Sequence, residues 1–222
     1  MGVNTVQNAL LDILQKNPPL HAEFSTVLTG SAMSTGARVD GIGTFFAEQI
    51  EVDDYVGNPS YGFRRVIQIN SNVRLTVDRA YDADFGGQTL YKTQIKKGLA
   101  TMEDITRVGQ KMCVAFNTSD DIDLESARSA GVPCSEAHVL GEYLFTIGII
   151  FVEPNFNVLD ERKGNYDKWI RDAIDTNLTL NNTCVGISQL GQMQFMDHPE
   201  DDNIHLGAIK IICYPRLIRG NR

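Results

Sequence analysis

The chain has 222 residues, 42% of them hydrophobic, and carries 20 Lys and Arg against 28 Asp and Glu, a formal net charge of −8. A chain of this length forms one large domain, or a domain with a sizeable insertion, and buries about 70% of its unfolded surface. The acidic balance argues against the broad basic face of a nucleic-acid binder, and no run approaches the roughly 20 apolar residues of a membrane span, so no membrane partner is expected.

The first element is an amphipathic helix, with Val6, Ala9, Leu10, Ile13 and Leu14 on one side, Asn4 as its cap and Gln7 at the capping-box position. Pro18 and Pro19 end it. Residues 29–43 are rich in Gly, Ser and Thr and read as a loop or an arm that orders on contact. Gly41 and Gly43 lack the third glycine of a dinucleotide fingerprint, and no phosphate-binding loop occurs anywhere. Residues 63–77 look like strand, with Asn70, Ser71 and Asn72 as the turn that pairs 64–69 with 73–77. Residues 81–98 mix Asp82, Asp84, Gly86 and Gly87 with Lys92, Lys96 and Lys97, the composition of a solvated loop. A short buried strand at 112–116 and a short helix at 121–130 follow.

The last third carries the strongest signals. Over 142–153, Tyr143, Phe145, Ile147, Ile149 and Phe151 share one face while Leu144, Ile150 and Val152 share the other, the mark of a central strand. Over 165–176, Tyr166, Trp169, Ile170, Ala173 and Ile174 recur at helical spacing opposite a charged side, with Asn165 as the cap. Residues 183–190 and 206–214 then read as an antiparallel pair joined by a long exposed acidic connection, 196–203. The sum is an α/β (α+β) chain: a mixed, mostly antiparallel central sheet of six to eight strands, flanked by two amphipathic helices. It is expected as one domain over 1–222, with 29–131 an inserted or elaborated region.

Chemistry is sparse. Cys113, Cys134, Cys184 and Cys213 have no C-x-x-C spacing and read as buried reduced thiols. Of the four histidines, His21, His138, His198 and His205, only the last two lie near several carboxylates: Asp197, Glu200, Asp201 and Asp202. Imidazole and carboxylate suit zinc or iron, so a metal-dependent hydrolase using His198 and His205 is the alternative of another class. The same residues are what a solvated turn requires. No serine stands in G-x-S-x-G. No catalytic, cofactor-binding or metal residue is therefore assigned, no cofactor is expected, and the chain does not read as an enzyme.

The order of the terminal elements resembles the tail terminator (tail completion or neck) proteins of long-tailed bacteriophages. The resemblance rests on the opening helix, the apolar strand from Tyr143, the helix around Trp169 to Ile174, the stretch from Leu178 through Leu190, the acidic segment, and the strand from Gly207 to Tyr214. It covers residues 1–20 and about 140–215, and 29–131 departs from the compact pattern. It implies a structural virion protein located in the tail or neck and assembled in the host cytoplasm. Such a subunit forms a homo-oligomeric ring, in that family a hexamer, that caps the tail tube and joins it to the head. Its partners would be a tail tube protein, a head–tail connector protein and a sheath where one is present, and DNA would pass through the ring without specific binding. Another neck or connector protein of the same fold is the near alternative.

Overall fold

The computed structural model describes residues 3–98, 112–117, 143–199 and 201–215. Its α+β class, with antiparallel sheets, is the one expected from the sequence. The chain divides into two compact units, one of Leu14–Lys96 and one of Met1–Ile13 with Lys97–Arg222. The region expected to be an elaboration, 29–131, overlaps the first of these over 29–96, and the helix expected at 121–130 lies outside the described residues.

Helix α1 (Val3–Lys16) buries Val6, Leu10, Leu11, Ile13 and Leu14, the predicted stripe with Leu11 added and Ala9 only half-buried. It starts one residue before Asn4, which is therefore not its cap; the Asn4 side chain instead accepts from Lys97 Nζ at 3.0 Å. Pro18 and Pro19 do end α1, and they also begin α2 (Pro18–Phe24), because a missing N–H costs nothing in the first turn. Asn17 caps α2 by accepting from Leu20 N.

In the Leu14–Lys96 unit, β1 (Ser25–Val27), β2 (Ser31–Thr35), β3 (Arg38–Ile42), β4 (Tyr55–Asn58), β5 (Gly62–Ser71), β6 (Arg74–Val77) and β7 (Tyr91–Thr93) form a sheet in the order β1-β7-β4-β5-β6-β3-β2. A four-residue helix, α3 (Phe46–Gln49), interrupts it. The two ends of that order, β1 and β2, are neighbouring stretches of chain, and 28–34 bonds back to 85–90 through Leu28 N to Leu90 O, paired Ala32 and Gln88 bonds, and Ser34 N to Phe85 O. The sheet thus closes on itself around Val39, Phe46, Val56, Val66, Leu75, Val77, Tyr81, Phe85 and Leu90. Closure satisfies the backbone groups that edge strands leave open.

Residues 29–43, expected as a loop or arm, are mostly the β2–β3 hairpin. Hydrophobic alternation is weak there because the buried positions hold only Ala32, Ser34 and Val39. The 62–77 hairpin is as expected, β5 with β6, although the turn lies at Asn72 and Val73. Residues 81–98 are not simply solvated: Tyr81, Phe85, Leu90 and Ile95 are buried, and two short strands cross the segment, β7 and β8 (Ile95–Lys97).

The other unit holds a five-stranded sheet in the order β11-β12-β10-β9-β8, with β9 (Met112–Asn117), β10 (Tyr143–Val152), β11 (Cys184–His198) and β12 (Asp201–Pro215). β10 is central, as its two apolar faces require: it pairs antiparallel with β9 and β12. Tyr143, Phe145, Ile147, Ile149 and Phe151 are buried, together with His205, Gly207, Ile209, Ile211 and Cys213 of β12. Helix α4 (Phe156–Asp175) packs on this face through Tyr166, whose ring lies 4.9 Å from that of Phe151.

Two expectations need correction here. α4 begins at Phe156, with Asn155 as cap accepting from Asn157 N, so Asn165 is an interior residue. Its first ten residues bury only Leu159, which leaves the apolar period too faint to read. And 196–203 is no long connection: β11 and β12 continue through it with Met196 opposite Leu206, Asp197 opposite His205 and His198 opposite Asp201. Twelve strands and four helices are present among the described residues, more than the six to eight strands and two helices expected, because several strands are three to five residues long.

Candidate functional site

The histidine and carboxylate group singled out in the sequence lies at the end of the β11–β12 hairpin. His205 is fully buried on β12. Its Nδ1 is 2.6 Å from Asp197 Oδ1 on β11, its Nε2 is 3.2 Å from the carbonyl oxygen of Glu153 just past β10, and its ring lies 5.3 Å from that of Phe151. Each ring nitrogen thus faces an oxygen that accepts hydrogen bonds, a carboxylate on one side and a backbone carbonyl on the other. A metal needs a ring lone pair, and in this arrangement each nitrogen already faces an acceptor. Lys163 of α4 lies 3.9 Å from Asp197 Oδ1, and Arg162 bonds Glu153 Oε2 at 2.7 Å. The geometry ties three strand ends to the first half of α4.

Asp201 is engaged elsewhere. His198 pairs through its backbone with Asp201, and Asp201 Oδ1 accepts from both Asn203 N and Asn203 Nδ2 at 3.0 Å, a local turn. Glu200 lies outside the described residues. Asp202 is exposed. No cluster of three or more His, Cys, Asp or Glu able to hold a metal occurs among the described residues. His21, in the other unit, is packed between the rings of Phe63 and Tyr91 and bonds Ser25 Oγ at 3.0 Å; burial lowers its pKa. His138 lies outside the described residues.

Sequence reasoning missed a second contact between α4 and β11. Between Leu190 and Gln194 the pairing with β12 slips, and Gly191 takes a positive φ of 79°. The slip turns backbone groups of β11 away from the ladder. Arg171 donates from Nη2 to Gly191 O at 2.7 Å, and Asp167 Oδ1 accepts from Met193 N at 3.0 Å while bonding Arg171 Nε. An Asp and an Arg four apart on a helix are the only sequence signal, and that spacing usually marks a surface pair.

Cys184 and Cys213 are free and fully buried. Cys184 lies opposite Pro215, two positions along β12 from Cys213, so both thiols share the buried face. Cys213 donates to Cys184, which together with burial pushes its pKa well up. The same bond lowers the pKa of Cys184. In the barrel unit, Asn72 gathers an apolar tip: Gly41 N bonds Val73 O, Phe46 N bonds Asn72 O and Ala47 N bonds Asn72 Oδ1. Ile42, Phe45 and Val73, three large apolar side chains, are exposed there.

What the five-stranded sheet offers most plainly is a surface. Leu144, Ile150 and Val152 of β10 and Ile204, Leu206 and Ile212 of β12 are partly exposed on the face opposite α4, beside the exposed Met196. No helix among the described residues is long and apolar enough to cross a membrane. Comparisons of the chain with protein-family models, with curated proteins and with solved structures find no match.

Proposed function

We propose that the chain is a structural virion protein, a tail-terminator-like ring subunit that caps the tail tube and joins it to the head connector. The observation that carries this reading is the build of the sheet-and-α4 unit. It has an opening helix, a central apolar strand, a second helix and a C-terminal hairpin, in the order that prompted the resemblance. An assembling subunit needs rigid elements with apolar surface left for its neighbours, and the partly exposed face of this sheet supplies it. The acidic balance suits a bore through which DNA must slide, because a basic lining would hold the phosphates.

The alternative of another class, a metal-dependent hydrolase, would have to turn His205 away from Asp197 and Glu153, which its ring nitrogens face. Addition of the protein to polymerising tail tube subunits tests the proposal. Capped tubes of limited length, with the protein at one end in electron micrographs, are the expected result. Tubes of unchanged length with all of the protein free would overturn it.

A further inference from the structure

We infer that Cys184 and Cys213 are a redox pair that closes to an intramolecular disulfide by exchange with a small disulfide such as oxidised glutathione. Both thiols are free and fully buried. The β11–β12 register sets Cys184 opposite Pro215, so Cys213 lies two positions away on the same face of the sheet. Cys213 donates a hydrogen bond to the Cys184 sulfur. The two sulfurs are thus already in contact, and bonding has to bring them to about 2 Å. The strand ends supply that movement. Cys184 is the first residue of β11, Cys213 stands two residues before the end of β12, and the pairing shifts between Cys184 and Gly186. Strand ends open at far less cost than the middle of a sheet, and the same opening admits the oxidant to thiols that the closed hairpin covers. Cys113 does not compete. It pairs with Ile149, six positions along β10 from Tyr143, the partner of Cys213, a separation of about 20 Å.

The hydrogen bond sets the order of attack. Accepting it lowers the pKa of Cys184 against the opposing effect of burial, whereas donating it, together with burial, raises that of Cys213. The thiolate is the nucleophile of disulfide exchange, so Cys184 attacks first. Its proton leaves to solvent, its sulfur bonds one sulfur of the oxidant, and the other departs as a thiolate that takes up a proton. Cys213, deprotonated in turn, attacks the Cys184 sulfur and expels the remaining half of the oxidant. The protein gives up two electrons and two protons, and the small disulfide becomes two thiols. The product ties the start of β11 to the end of β12.

Incubation of the reduced, folded protein with oxidised glutathione, followed by acid quench and mass-spectrometric mapping, tests this. One bridge joining the peptides that hold Cys184 and Cys213 is the expected product. Thiols at both positions that stay free, a bridge from either to Cys113 or Cys134, or a lasting glutathione adduct on Cys184 beside a free Cys213 would each overturn the inference. A Cys213→Ser variant separates the two roles. With no second thiol to resolve it, Cys184 should hold at least about tenfold more glutathione adduct than in the wild type, and an amount no greater than the wild type's would contradict the order of attack.

Discussion

Asp82 shows how single side chains fix the barrel unit. Arg64 is buried, yet its guanidinium donates to Ala80 O, Phe63 O and Asp82 Oδ1, and Lys16 reaches the other Asp82 oxygen at 3.0 Å. Burial raises the Asp82 pKa, but the hydrogen bonds from Lys16 and Arg64 outweigh it and hold the carboxyl below its usual range. A depressed folded pKa stabilises above the unfolded value and loses that contribution as pH falls through the folded one. Asp82→Asn should therefore cost about 1 kcal/mol at neutral pH, a value discounted because Asp82 is half exposed. The gap from wild type should close below about pH 4; denaturant melts at pH 7 and pH 3 measure it. At the other unit, His205→Phe keeps a ring beside Phe151 but leaves the Glu153 carbonyl without its partner. A loss of about 1–3 kcal/mol is expected, with zinc or a chelator leaving the melting temperature of the wild type unmoved. None of this was legible in the sequence, where Asp82 is one residue of a polar stretch and His205 reads as part of a solvated turn.

At the scale of elements, β11 and β12 depend on a cross-strand fit. Phe195 lies opposite Gly207, and a Cβ placed at Gly207 would meet Phe195 Cε1 at 2.6 Å and Cδ1 at 2.9 Å. Gly207→Val should displace that ring and cost about 1–3 kcal/mol, read by urea denaturation. Gly57 of β4 is tighter still, since a Cβ there would meet Gly62 O at 2.1 Å and Phe63 Cα at 2.7 Å, both backbone atoms. Strong alternation made β10 and the β5–β6 pair readable, because their buried positions hold large apolar side chains. The β2–β3 hairpin and the acidic end of β11–β12 escaped for the opposite reason. Their pairing rests on backbone bonds between small or charged residues, and side-chain pattern reports those poorly.

For the molecule as a whole, the α+β class and the terminal element order were available from the sequence. The closed barrel was not, because closure comes from bonds between 28–34 and 85–90, distant positions with little apolar pattern. On the proposed function, the chain acts by fitting against copies of itself. Multi-angle light scattering of the purified chain across a wide concentration range measures this most directly. One closed species of six copies is the expected result, and a monomer at every concentration would contradict the account.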